Sequence, residues 1–212
     1  MTSERPFADL LATPGVVEEL ELRSTFGFMA YHGGSLEEMT DVIGRAAAER
    51  SGASFYAVCQ PPGLDWHIPS HRVSPDQSPA MAAFVEHVDV VVTVHGFGRR
   101  GLFTSLLLGG RNRELAEHVG SALRTALPAY EILTDMERIP RDLRGSHADN
   151  PVNLPSGQGV QIELPPRVRG STPMWWDWEG PGFTPHTEAL VAALAGAATT
   201  WTRPAGGGMG RS

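Results

Sequence analysis

The sequence predicts an α/β protein with a mixed, largely parallel sheet flanked by helices, and three observations carry that prediction. Val88 to Val94 is nearly continuous β-branched sequence, as a central strand buried on both faces requires. Apolar strand-like runs alternate along the chain with stretches of helical period. Two such runs end in the same grammar, an apolar strand, then His, then Gly, at Tyr31-His32-Gly33 and Val94-His95-Gly96. In parallel sheets, ligands gather at the carboxyl ends of strands.

Taken in order, residues 1 to 23 read as a surface entry segment with one short helix near Phe7 to Leu11, because Pro6, Pro14-Gly15 and a Glu-rich stretch break any longer pattern. Ser24 to Tyr31 is the first strand. Phe26, Phe28 and Ala30 alternate, so His32 is expected at the strand's edge on their face. Gly33 and Gly34 permit a tight turn, and Ser35 with Glu38 has capping-box spacing for a helix from Leu36 to Arg50. Ser54 to Gln60 is a strand ended by Pro61-Pro62-Gly63, and the proline-rich stretch after it is not helical. Phe103 to Leu108 is the next strand after Val94. Asn112 caps a helix whose apolar positions are Leu115, Val119, Leu123 and Leu127, ended by Pro128. Tyr130 to Thr134 is a short strand, and 135–157 is loop. Val160, Ile162 and Leu164 alternate with Gln161 and Glu163, so a strand here turns Glu163 off its apolar face or into a cleft. Thr184-Pro185 opens a last helix to about Thr200. At 41% hydrophobic, the 212 residues can bury one sizeable core. We read 1–202 as a single domain and the Gly-rich 203–212 as a disordered tail.

The net charge of −7 argues against nucleic acid as a partner, because phosphate binding needs a concentrated positive field. No run reaches transmembrane length and no signal peptide is visible, so a cytoplasmic protein without a membrane partner is expected. Cys59 is a lone strand cysteine with no chemistry assigned. All 17 basic residues are arginine, and ten lie between Arg99 and Arg169. Arginine reads carboxylates bidentately, and solvated side chains from a coding bias fit the same pattern.

With Glu38 assigned to the helix cap, Glu37 is uncommitted. Imidazole and carboxylate on one rigid strand-to-helix turn suit two of the three protein ligands of a catalytic zinc. His95 is the candidate third, although either histidine alone equally fits a satisfied structural residue. Glu163 offers a carboxylate to take a proton from an attacking water, or else lies solvated on an exposed sheet face.

The segments His32-Gly33-Gly34-Ser35-Leu36-Glu37, Trp66-His67-Ile68-Pro69-Ser70, Val94-His95-Gly96, Leu108-Gly109-Gly110 and Asn153 through Gly159-Val160-Gln161-Ile162-Glu163-Leu164 to Arg169 occur in this order. Together they resemble the poly-γ-glutamate hydrolase family of phage and bacterial zinc peptidases, over about residues 8 to 169. The resemblance implies a zinc-carboxypeptidase-like (phosphorylase/hydrolase-like) fold. It implies one zinc per chain, with His32, Glu37 and His95 as ligands and Glu163 as general base. It also matches His67 and Arg169 to family positions, which we take as substrate-binding. The sequence departs from the family pattern at Pro69 and His71-Arg72.

The expected function is zinc-dependent hydrolysis of γ-glutamyl amide bonds in a carboxylate-rich polymer or peptide. A zinc amidohydrolase acting on another acylated amino acid or a cell-wall peptide is the first alternative. A binding module using the Trp175-Trp176-Asp177-Trp178 cluster is the second.

Overall fold

A computed structural model describes residues 4–170 and 182–202, and its seven strands form one mixed sheet. The strands are β1 (Val17–Glu21), β2 (Ser24–Gly34), β3 (Ala53–Gln60), β4 (Val90–Gly96), β5 (Ser105–Leu108), β6 (Glu131–Leu133) and β7 (Gly159–Leu164). Their order across the sheet is β1-β3-β2-β4-β7-β5-β6. Strands β3, β2, β4 and β7 run parallel to their neighbours in that block, and β5 is parallel to β6. The antiparallel pairs are β1 with β3 and β5 with β7. The sheet is therefore mixed and mainly parallel, as the sequence led us to expect.

Alternation along the central strands divides the core into two layers. Phe28, Ala30, Val92, Val94 and Ile162 face one side, under α2 (Thr40–Ser51), α4 (Arg113–Ala126) and α6 (Pro185–Thr200). Met29, Tyr31 and Val91 face the other, with Phe7 and Leu10 from α1 (Pro6–Leu11) and Met81 and Phe84 from α3 (Pro79–His87). Because both faces of β2 and β4 are covered, these strands read as unbroken apolar runs. The short α5 (Pro166–Arg169) follows β7.

The cap signals of α4 and α6 act as their chemistry requires. Asn112 accepts from the Leu115 amide at 2.8 Å to cap α4, and Thr184 accepts from Thr187 at 3.3 Å to cap α6, with Pro185 in the first turn. Besides the short α5, two elements were not anticipated. Helix α3 opens on Ser78-Pro79 with the same cap grammar, Ser78 Oγ accepting from Met81 N at 2.9 Å. The Glu-rich stretch read as surface is strand β1, which pairs with β3 and charges the edge of the sheet, a device that discourages edge-to-edge association. The tryptophan cluster at 175–178 and the tail 203–212 lie outside the described residues. Among the described residues, no helix is long and apolar enough to cross a membrane.

The turn after β2 depends on Gly34, whose φ is +70° and whose missing Cβ leaves room for the Gln60 carbonyl. Gly34→Ala is expected to destabilise the protein by about 1–3 kcal/mol or more, read as a lower denaturant midpoint. An unchanged midpoint would mean that the turn relaxes without cost.

Candidate active site

A cleft of about 960 Å³ opens at the carboxyl ends of β2, β4 and β7. The end of β2 is not regular. Ala30 pairs with Ala57 and Gly33 with Cys59, so Tyr31 and His32 together stand against Val58, a bulge. Strict alternation would have placed His32 on the face of Phe28 and Ala30. The bulge instead brings the Tyr31 and His32 rings together, centroids 4.7 Å apart, and both lie beside His95, at 4.9 and 5.0 Å.

The turn that follows is fixed by backbone partners. Glu37 N donates to His32 O at 3.0 Å, and Ser35 N donates to Gln60 O at 3.0 Å. Ser35 Oγ donates to Pro61 O at 2.7 Å, so the expected capping box with Glu38 does not form. Helix α2 starts at Thr40 rather than Leu36, after Met39 in the left-handed region (φ 72°), and Thr40 Oγ1 donates to Glu37 O at 2.7 Å. Leu36 and Glu37 are thereby left in the loop, and the Glu37 side chain reaches across to His95.

His32, Glu37 and His95 form a candidate metal site, with one ligand atom from each within 4.8 Å of the others. The Glu37 carboxylate bridges the two rings, Oε1 lying 3.0 Å from His32 Nδ1 and Oε2 lying 3.1 Å from His95 Nδ1. Gly96 N also donates to Oε2, at 2.9 Å. The donor chemistry tests the fit to a cation. His32 Nε2 lies 2.9 Å from Ile68 O, which can only accept, so that nitrogen carries a proton. In neutral His32 the lone pair is then on Nδ1, facing a carboxylate acceptor to acceptor. Such a pair needs positive charge, either a second ring proton or a metal ion, and an imidazole braced through its outer N–H is the usual form of a metal ligand. Burial would push the Glu37 carboxyl up, but the charges and hydrogen bonds of His32 and His95 outweigh it and hold Glu37 well below the usual carboxylate range.

Glu163 is the register partner of His95 on the neighbouring strand and lines the same cleft. It is buried, and burial pushes its carboxyl up to about 7; the charge of His95 works against that shift and the charge of Glu37 adds to it. Gln161 Nε2 donates to Glu163 Oε1 at 2.8 Å. His67 also lines the cleft, its ring 4.8 Å from that of His32. Arg169 sits behind the site. It is buried against Gly96, with Nε donating to Leu164 O at 3.1 Å and Nη1 to Glu38 O. Among the described residues, the arginines that line the cleft are Arg111 and Arg141, and the tilted rings of His71 and His147 also line it, with centroids 5.1 Å apart. Sequence reading located the arginine-rich half but did not single out Arg111 or Arg141, because loop arginines carry no periodicity. It also missed Tyr31 and Asn150, whose polar ends are visible only once the fold is known.

A family model described as poly-gamma-glutamate hydrolase matches residues 11–174. Among solved structures, a bacteriophage poly-gamma-glutamate hydrolase superposes with a TM-score of 0.72 at 20% identity, covering 87% of this chain and 89% of that one. YNDL in a zinc-free apo form superposes with a TM-score of 0.71 at 17% identity, covering 87% and 90%. A search of the curated proteins finds no match.

An ion binding between His32, Glu37 and His95 stabilises the folded state by mass action, by about 2.7 kcal/mol at one hundred times its dissociation constant. Added zinc is therefore expected to raise the thermal midpoint of the metal-stripped protein, and His32→Ala or Glu37→Ala to abolish the rise. An equal rise in these variants would move the ion elsewhere.

Proposed function

Because the chain belongs to the poly-gamma-glutamate hydrolase family, we propose that it is a zinc-dependent amidase that hydrolyses γ-glutamyl amide bonds with Glu163 as general base. The observation that carries this reading is the pairing of two carboxylates in one cleft: Glu37, held ionised between two imidazoles, and Glu163, buried beside them with a raised pKa. His32, Glu37 and His95 would hold one zinc. When bound, zinc supplies Lewis acidity that acidifies a water molecule and polarises an amide carbonyl.

The chain's own groups supply the remainder. Glu163 takes a proton from the attacking water while Gln161 steadies Oε1. The hydroxyl oxygen bonds to the amide carbon, the C–N bond breaks, and Glu163 returns the proton to the departing nitrogen. The new carboxyl group gives up its remaining proton to the released amine, so the products are a carboxylate and an ammonium group. A γ-linked polymer carries one free α-carboxylate per residue, and Arg111 and Arg141 along the cleft offer charge-assisted recognition of those groups on an otherwise anionic protein. His67, whose ring lies beside that of His32, would touch the substrate in this reading. Arg169 would serve the substrate indirectly, by fixing the Glu38 carbonyl and with it the segment that presents Glu37.

Elemental analysis is expected to find about one zinc per chain, lost in His95→Ala. Glu163→Gln should retain zinc and lose about 10²–10⁴-fold in turnover; unchanged hydrolysis would dismiss Glu163 as the base. Poly-γ-glutamate should be cleaved in preference to α-linked polyglutamate and cell-wall peptides. Cleavage of only the last would favour the amidohydrolase alternative, and cleavage of none the binding module.

The base works only when ionised, so kcat/KM should rise with pH as Glu163 loses its proton. A bound cation favours the ionised form, so this limb should lie at or below the value of about 7 that Glu163 has without metal. A profile flat through that range would contradict the assignment.

A further inference from the structure

Between the outer nitrogen of His95 and the carboxylate of Glu163 runs an unbroken line of buried polar side chains. His95 Nε2 lies 3.0 Å from Tyr31 Oη, and Tyr31 Oη lies 3.4 Å from Asn150 Oδ1. Asn150 Nδ2 lies 2.9 Å from Gln161 Oε1, and Gln161 Nε2 lies 2.8 Å from Glu163 Oε1. All five residues are buried, so each polar atom needs a partner within the protein.

Two backbone groups fix which way the line points. The Val152 amide can only donate, and it lies 3.2 Å from Asn150 Oδ1, so the oxygen of Asn150 faces Val152 and Tyr31 while its NH₂ faces Gln161. The Leu143 carbonyl can only accept, and it lies 3.4 Å from Gln161 Nε2, so the NH₂ of Gln161 faces Leu143 and Glu163. Gly145 lies close over this amide, where a Cβ would stand 2.6 Å from Gln161 Oε1, so only glycine leaves space for it. The Ser70 hydroxyl also meets the phenol and donates to it, so with Asn150 presenting its oxygen the single proton of Tyr31 goes to Asn150. The phenolic oxygen then accepts from His95 Nε2–H, and the lone pair of His95 is left on Nδ1, the atom that faces Glu37.

We infer that Tyr31, Asn150 and Gln161 are positioning residues, forming a hydrogen-bonded chain of fixed polarity that holds His95 in its metal-binding tautomer and the Glu163 carboxylate in its working orientation. The inference rests on His95 as a ligand and Glu163 as the base. Reversed at Tyr31, with the phenol donating to His95 Nε2, the ring proton would sit on Nδ1 and block the metal. The chain therefore ties two functions together through Asn150, which touches neither a ligand nor the base.

The test measures zinc affinity by competition with a chromophoric chelator, alongside kcat and KM on poly-γ-glutamate. Tyr31→Phe keeps the ring and is expected to weaken zinc binding by about 10–100-fold. Asn150→Leu frees the Tyr31 proton to turn toward His95 and should weaken zinc binding comparably while also lowering kcat. Gln161→Met should lower kcat by about 10-fold or more at unchanged KM, with zinc affinity retained because Val152 still orients Asn150. If Asn150→Leu does not fold, Tyr31→Phe and Gln161→Met decide the question. Zinc affinity lost in His95→Ala but intact in Tyr31→Phe would overturn the chain and leave the metal site standing. Zinc affinity intact in His95→Ala would overturn the metal site itself, and the chain with it.

Discussion

The arrangement depends on burying one negative charge. An ionised carboxylate taken out of water costs several kcal/mol unless paired and hydrogen-bonded, and the Glu37 carboxylate lies deep between two imidazoles and the Gly96 amide. Each partner comes from a different place. His32 is on the bulged end of β2, His95 and Gly96 are on the end of β4, and Glu37 itself is on the turn into α2. The charge is tolerated only if all three stand at the same edge of the sheet, so local distortions of the chain persist there. The bulge at Tyr31-His32, the left-handed Met39 and the delayed start of α2 all serve that one convergence.

Parallel register supplies the other half. Strands β2, β4 and β7 run the same way, so their carboxyl ends share one edge, and pairing of His95 with Glu163 follows from the same alignment that pairs Val92 with Val160. The apolar face of these strands packs on α2, α4 and α6, and the opposite face turns polar only beyond Val91 and Met29. Gln161, Glu163 and His95 occupy that polar end. Core and site are thus two stretches of the same strands, which confines polar demands to the cleft end.

This division explains what the sequence could and could not disclose. Buried strands announce themselves through β-branched runs, and helices through Asn112 or Thr184 followed by periodic apolar residues, because those signals are local. His32, Glu37, His95 and Glu163 were legible as candidates because glycine and strand boundaries flank them. Two inferences failed where tertiary contacts overrode local chemistry. Ser35 has the spacing of a cap but spends its hydroxyl on Pro61, and alternation assigned His32 to the wrong face because a bulge leaves no mark in composition. Strand β1 was hidden because an edge strand rich in Glu lacks the apolar alternation of a half-buried one. Asn150 lies in a stretch that reads only as loop, and its role arises from contacts with Tyr31 and Gln161, distant in sequence.

The two cleft carboxylates show why residue type alone does not assign a role. Glu37 and Glu163 are the same side chain at the same edge, the first mostly and the second almost fully shielded from water. Around Glu37 two imidazoles and a backbone amide favour the anion, and its pKa falls. Around Glu163 the hydrogen bonding comes from one amide, and Glu37 adds repulsion, so burial prevails and the pKa rises. A group held as an anion at every working pH suits a permanent ligand and exchanges protons poorly. A group poised near neutrality can take a proton and give it back within one turnover. Exchanging their surroundings would exchange the roles proposed for them, so the proposal rests on the partners that β2, β4 and β7 bring to each carboxylate.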